Sequence, residues 1–390
     1  MHTNPLYSQS PASLSAQPDG PKGPATHARA MQSPTEQGPA THIGLQAELT
    51  NSAPLWPGWR AAWNVLQLAV LSIGSSACDT APPAQSHAAP TDAPYVLVLG
   101  TAQDGGLPQI GCRGEACKLA RTDPAHARHI VSLLLVDPRS DRRWLFEATP
   151  DIKHQISFAH ERAALPLAAS GRPALFDGIF LTHAHMGHYS GLVHLGREAY
   201  GGNSVPLHGS PRLLEYLQTN GPWSLLFHDE HLTASPMGAG ETVQLAADLS
   251  VTAIPVPHRE EFSDTMAFLI RGPERSLLFL PDIDKWSRWD EFEGGARHVE
   301  DLLGEVDVAL LDGTFYADGE IPGRPMASIP HPFIAESIDR FGALDPAVRE
   351  RVQFIHLNHT NPCADPSSAA AKRVREAGMS IANDGDVHSL

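Results

Sequence analysis

The stretch that most constrains this chain is an apolar run, Ala174 to Leu181, that ends in Thr182-His183-Ala184-His185-Met186-Gly187-His188 and passes into a helical pattern from Gly191. The run reads as a buried strand, and three imidazoles within six residues follow it directly. Alternate side chains of extended backbone share a face, so His183 and His185 can point at one ion while His188 faces a neighbouring position. Metal ligands delivered at the end of a strand and just before a helix call for layered α/β structure. A His-rich surface loop is the plain alternative, and what ends the other strands decides between the two.

Strand signals recur at Tyr95 to Leu99, His129 to Val136, Arg143 to Glu147, Leu175 to Leu181 and Val205 to His208, with the turn-forming Asp137-Pro138-Arg139-Ser140 between the second and third. Helical patterns cover Asp151 to Leu165, Gly191 to Tyr200 and Pro211 to Thr219. The second half repeats the rhythm, with strands at Leu249 to Pro255, Thr265 to Ile270, Ser276 to Leu280, Val306 to Leu311 and Val352 to Leu357, and helices at Pro332 to Phe341 and Pro366 to Ala377. Strands in runs with helices between them imply packed α/β layers and not an all-β barrel.

Other metal-type residues also end strands. His258 closes Val256-Pro257-His258, Asp282 and Asp284 follow Phe279-Leu280-Pro281, and His356 and His359 follow Ile355. Each alone is better read as a core histidine or a turn acid. Their joint placement is that of a site assembled from the ends of several rigid elements.

This order of strand-end ligands resembles the metallo-β-lactamase superfamily, from about Tyr95 to the C terminus. The resemblance implies an αββα sandwich over residues 94–390, two mixed sheets with helices on the outer faces and a metal cleft where the halves meet. It implies that His183, His185 and His258 hold a first ion, that Asp282 bridges to a second as the catalytic carboxylate, and that His188 and His356 complete the second. Imidazole and carboxylate suit zinc, with manganese or iron as options, in one or two catalytic ions. Such ions generate hydroxide from water near neutral pH, so the implied chemistry is hydrolysis of an ester-like or phosphodiester bond in a small-molecule substrate, without a Ser or Cys nucleophile. The departure is Gly187, where the superfamily motif carries an Asp that binds the second metal. The second site is then weak, or vacant, or served by another carboxylate, with Asp284, Asp104 and Asp312 as candidates.

A narrower resemblance joins Gly100 to Cys112, Thr149 to Ile156, Asp312 to Tyr316 and Phe354 to Pro362 to stretches of the pyrroloquinoline quinone biosynthesis protein B family. In that family the first motif histidines are commonly replaced. Here all three stand, which favours a hydrolytic relative. An iron-dependent oxidative step in quinone cofactor biosynthesis is the second reading, and a non-catalytic metal-binding protein, supported by Gly187 alone, the third. His356 is preferred to His359 as catalytic ligand, though the two could exchange roles. His331 is taken as structural or as a substrate contact, and Asp312 and Tyr316 as pocket residues or a plain turn.

Of the four cysteines, Cys112, Cys117 and Cys363 lie in the folded part. Three thiolates and one imidazole make a closed zinc set, and His359 stands four residues before Cys363. Relatives carry a third cysteine in the Cys112–Cys117 loop. Here Cys363 is expected to substitute for it, so that Cys112, Cys117, His359 and Cys363 hold a structural zinc, with a Cys112–Cys117 disulfide as the rival. The N-terminal region is different in kind. Residues 1–58 are polar and Pro-rich, too poor in aliphatics to order themselves. Residues 59–78 read as a signal segment whose Ser75-Ser76-Ala77-Cys78 resembles a lipoprotein processing box, and 79–93 as a linker. The expectation is an exported, periplasmic or membrane-anchored protein lipidated at Cys78, or a cytoplasmic one if the segment is not a working signal. A formal charge of -16 without a basic stripe excludes a general nucleic-acid binder.

Overall fold

The computed structural model describes residues 90, 92–162, 164–165, 171–202, 204–292, 297–326 and 329–390. The expected disordered extension, signal segment, lipidation site Cys78 and nearly all of the linker lie outside the described residues. No described helix is long and apolar enough to cross a membrane.

Fourteen strands are described: β1 (Tyr95–Gly100), β2 (Ser132–Asp137), β3 (Arg142–Phe146), β4 (Gly178–Phe180), β5 (Val205–Gly209), β6 (Leu232–Pro236), β7 (Thr242–Ala246), β8 (Leu249–Val256), β9 (Thr265–Arg271), β10 (Ser276–Leu280), β11 (Val308–Asp312), β12 (Val352–Ile355), β13 (Ser380–Ile381) and β14 (Val387–Ser389). They form two seven-stranded sheets, ordered β14-β1-β2-β3-β4-β5-β6 and β13-β12-β11-β10-β9-β8-β7. Each sheet is mixed. β3 to β6 and β10 to β13 run parallel, and the remaining pairings are antiparallel.

The two-residue period of each strand assigns its side chains to layers. Val96 and Val98 of β1 and Leu277 and Phe279 of β10 meet between the sheets. Their neighbours Leu97 and Leu99 face outward to the helices Ile152–Glu161 and Pro211–Thr219. Leu278 and Leu280 face the opposite outer layer, with helices Val299–Glu305, Ile334–Phe341 and Ala369–Glu376. Strands covered on both faces read as unbroken apolar runs, which is why they were legible in the sequence. This is the expected αββα sandwich.

At the sandwich centre Phe146 stacks on Phe180 at 4.9 Å, and Phe268 and Phe279 pack edge-on to Phe146 at 5.7 and 6.3 Å. Such pairs add about 0.5–1.5 kcal/mol each beyond their burial. Phe180 lies three residues before His183 and Phe279 three before Asp282, so this cluster anchors the strand ends that carry the ligands.

The helix expected over Gly191 to Tyr200 is not formed. A single α-turn, Met186–Tyr189, passes into a 3-10 segment, Ser190–Leu195. The turn is pressed against the loop after β3: Gly191 N donates to Ala148 O at 2.9 Å, and a Cβ on Gly191 would lie 1.8 Å from Thr149 O. That backbone contact overrides helical propensity. The expected strand over Leu175 to Leu181 shortens to β4. The short β6, β7, β13 and β14 were not anticipated, nor were the helices Glu115–Thr122 and Trp223–His228.

Candidate metal centre

All expected catalytic ligands leave the strands at one edge of the sandwich. His183 and His185 follow β4, His258 follows β8, Asp282 follows β10 and His356 follows β12. Two groups form there. His183, His185, His258 and Asp282 offer ligand atoms that all lie within 4.8 Å of one another, and so do Asp104, His188 and His356.

In the first group His183 Nε2 is 2.8 Å from His185 Nδ1, and His258 Nε2 is 3.2 Å from His185 Nδ1. Asp282 places Oδ2 3.3 Å from His183 Nε2 and Oδ1 3.2 Å from His258 Nε2. A tetrahedral ion with bonds of about 2.0–2.1 Å sets its ligands about 3.3 Å apart. The spacing therefore fits a divalent cation. In the second group Asp104 Oδ1 is 3.3 Å from His188 Nε2 and 3.7 Å from His356 Nε2. Asp282 Oδ2 reaches this group too, 3.7 Å from His188 Nε2, as a bridging carboxylate must.

Hydrogen bonding tests the fit a second way. Asp104 Oδ1, His188 Nε2, His356 Nε2 and Asp282 Oδ1 are buried and have no hydrogen-bond partner. They lie near one another but out of hydrogen-bonding alignment. Buried polar atoms left in this state cost about 1–3 kcal/mol each. Lone pairs converging on a cation account for them.

The far nitrogen of every imidazole meets an oxygen, the arrangement that orients metal-binding histidines. His183 Nδ1 meets Thr182 Oγ1 at 2.8 Å, and His185 Nε2 donates to Glu261 at 3.0 Å. His258 Nδ1 lies 3.3 Å from Asp284, and His188 Nδ1 3.6 Å from Glu147. His356 Nδ1 donates to Thr314 Oγ1 at 2.8 Å, and that hydroxyl in turn donates to Asp312. Glu147 and His356 adopt φ of 67° and 65°. Non-glycine residues in the left-handed region carry about 1–3 kcal/mol of strain, which concentrates at sites where a side chain must be aimed.

Asp282, Asp104 and His183 hold the forms a ligand needs, whereas at His188 and His258 burial, which favours the neutral ring, is outweighed by Glu147 and Asp282, so each holds a proton that a bound cation would displace. Burial, which would raise the Asp282 carboxyl, is outweighed by the charges of His258 and His331, and the group is held well below the usual carboxylate range. Asp104 is likewise held down against its burial by the adjacent His188 and His356 imidazoles. Burial keeps His183 neutral, with the His188 charge acting in the same direction.

The three carboxylates named to compensate for Gly187 now separate by position. Asp284 backs His258, Asp312 accepts from Ile283 N and Thr314, and Asp104 alone stands beside His188 and His356.

His331 was not placed among the ligands. Its Nδ1 lies 3.1 Å from Asp282 Oδ1 and 2.9 Å from Asp312 Oδ2, and with Asp282 and His356 it makes a third ligand group. It sits in a loop between β11 and the helix Ile334–Phe341, and no pattern marked it. Glu147 did carry a signal: an acid ending the apolar strand Trp144-Leu145-Phe146.

The thiol site is partly different from expectation. Cys112, Cys117 and His359 converge, but no group within the same 4.8 Å span includes Cys363. Cys363 is buried in the second outer core with Leu357, Ala370 and Val374. Cys363 as fourth ligand is therefore corrected. The rival disulfide is not formed either, since Cys112 and Cys117 are free thiols. His359 lies beside the thiols and His356 in the central groups.

A sandwich of two mixed sheets with paired ligand groups sharing one carboxylate at the strand ends is a metal-binding α/β scaffold. Residues 142–357 match the model of the beta-lactamase superfamily domain, and the chain belongs to that superfamily. Within it the chain is similar to coenzyme PQQ synthesis protein B of Methylobacterium nodulans, 29% identical over 317 residues that cover 74% of this chain and 97% of the relative. The same-named protein of Methylobacterium radiotolerans is 28% identical over 318 residues, covering 74% and 98%. Among solved structures, Zn(2+)-bound PqqB from Methylobacterium extorquens superposes with a TM-score of 0.62 at 24% identity, covering 76% of this chain and all of that one. A diphosphatase from the PhnP family gives 0.52 at 19% identity, covering 76% and 98%.

Proposed function

We propose that this chain is a metal-dependent hydrolase that cleaves an ester-like or phosphodiester bond in a small molecule. The observation that carries the reading is the sharing of Asp282 between two complete ligand groups. The first comprises His183, His185 and His258, and the second His188, His356 and Asp104. Divalent ions held there, with zinc the first choice, supply Lewis acidity and a nucleophile drawn from water near neutral pH.

The chain's own residues do the rest. Thr182, Glu261, Glu147, Asp284 and Thr314 fix the imidazole orientations, so that the ligand set needs little rearrangement. Asp282 meets the first group through both oxygens and the second through Oδ2. His331, held by Asp312, keeps a proton at Nδ1 between two buried carboxylates at the edge of the ligand cluster. The neighbour from the PhnP family is a diphosphatase, so hydrolysis at phosphorus occurs on this fold.

The name of the sequence relatives favours a second reading, an iron-dependent oxidative step in PQQ synthesis. One experiment separates them. The chain is loaded with zinc, manganese or, anaerobically, iron, then assayed with bis-p-nitrophenyl phosphate and p-nitrophenyl esters, and separately for oxygen uptake. Turnover of a diester or ester by the zinc or manganese form, lost in Asp282→Ala, supports hydrolysis. Oxygen uptake by the iron form alone replaces it with the oxidative reading.

A further inference from the structure

We propose that Asp104, in the Gly-rich loop after β1, is the carboxylate ligand of the second metal position and stands in for the acid absent at Gly187. The inference rests on reading the centre as a two-position metal site, and it concerns how this chain completes that site.

Three independent observations carry it. The first is steric. A Cβ built on Gly187 would lie 2.2 Å from Asp104 Oδ1 and 2.7 Å from Asp104 Cα. Contacts this short with a backbone atom are not tolerated, so an acid at 187 and the present path of the 104 loop exclude one another. The glycine is thus what admits Asp104.

The second is the set of unpartnered atoms. His188 and His356 are fully buried, yet Nε2 of each lacks a hydrogen-bond partner, as does Asp104 Oδ1. All three face one another across 3.3 and 3.7 Å. The opposite nitrogens face Glu147 at 3.6 Å and the Thr314 hydroxyl at 2.8 Å, so Nε2 of each ring is the nitrogen turned toward Asp104 and toward whatever cation joins them.

The third is rigidity. Ala102 bridges to both Ile130 and Leu357, and Gln103 N donates to Leu357 O at 2.9 Å. Gly106 N donates back to Gln103 O at 2.8 Å, at a φ of 66° that favours glycine. The loop is pinned between the lead-in to β2 and the exit from β12, within the tolerance a ligand position demands. Two nitrogens, the Asp104 oxygen and the shared Asp282 oxygen then make a mixed set suited to zinc, manganese or iron.

The test counts metal, not turnover. The parent, Asp104→Ala and Asp104→Asn are titrated with Mn2+ and with Zn2+ after chelation. Bound metal is quantified by plasma mass spectrometry, and Mn2+ spectra are recorded by electron paramagnetic resonance. Melting with excess chelator identifies any variant that has simply lost its fold. Both Asp104 single variants are expected to weaken one ion by at least about a hundred-fold while the other is retained. Their Mn2+ spectra should change from a coupled to an isolated-ion signal. Undiminished binding of both ions by the single variants, or a parent that binds no ion at the second position, would overturn the proposal. A parent that binds both ions yet hydrolyses nothing would overturn only the hydrolytic reading.

Discussion

Glu147 is the residue whose replacement tests the logic of the centre most directly. It is fully buried, sits at a φ of 67°, accepts from Thr182 N at 3.3 Å and lies 3.6 Å from His188 Nδ1. Glu147→Gln keeps the shape and one acceptor oxygen but removes the charge, and it sets an amide N–H donor against either Thr182 N–H or the imidazole N–H. Outer partners of metal-bound histidines are worth about 10–100-fold in affinity, or roughly 1.4–2.8 kcal/mol. That loss should fall on the position served by His188 and leave the His183, His185 and His258 position unchanged. Stabilisation by a bound ion scales with its affinity, so the metal-induced rise in melting temperature should shrink by roughly 3–6 °C at fixed free metal. The assay is thermal unfolding of parent and variant across a buffered Zn2+ series, with chelator-treated protein as the baseline. An unchanged metal-induced shift, with an unchanged baseline, would mean that Glu147 does not orient His188 and that the contact is incidental.

Gly191→Ala drives a Cβ to 1.8 Å from Thr149 O, and the loop can yield only by moving the turn that carries His188; a loss of about 1–3 kcal/mol in urea unfolding, with weaker metal binding, is expected. Burial lowers His208, stacked on Phe180 at 4.4 Å, to about 4. Its neutral form is favoured in the native state, so its contribution is complete above pH 6.5 and is lost as pH falls toward 4, where the native ring finally protonates. Denaturant unfolding at pH 7.5, 5.5 and 4.5 should show a decline of up to about 3 kcal/mol that flattens in His208→Leu. Cys363→Ser should leave zinc stoichiometry intact whereas Cys117→Ser lowers it. Gly114→Cys should tighten zinc retention against a chelator, because a Cβ at 114 lies 3.4 Å from Cys112 Sγ.

The sequence by itself determined the layers and most of the ligands. Strands covered on both faces read as continuous apolar runs, as β4, β10 and β12 do, and the joint placement of His183, His185, Asp282 and His356 after them, with His258 after the antiparallel β8, is visible without any knowledge of pairing. The tertiary structure decided what depends on approach between distant segments. Asp104 and Gly187 are 83 positions apart, and their steric exclusion, with the approach of Asp104 to His188 and His356, is what separates Asp104 from Asp284 and Asp312. Cys363 has a sensible interval from His359, yet the segment Pro362–Ala364 carries its thiol into the apolar layer, out of the Cys112 and Cys117 group. His331 reaches Asp282 from a loop with no periodicity to read, and the helix expected from Gly191 gives way to a backbone contact with the loop after β3. Periodicity and strand ends are local properties of a chain. Which lone pairs converge on one point is fixed by register and packing between segments the sequence keeps far apart.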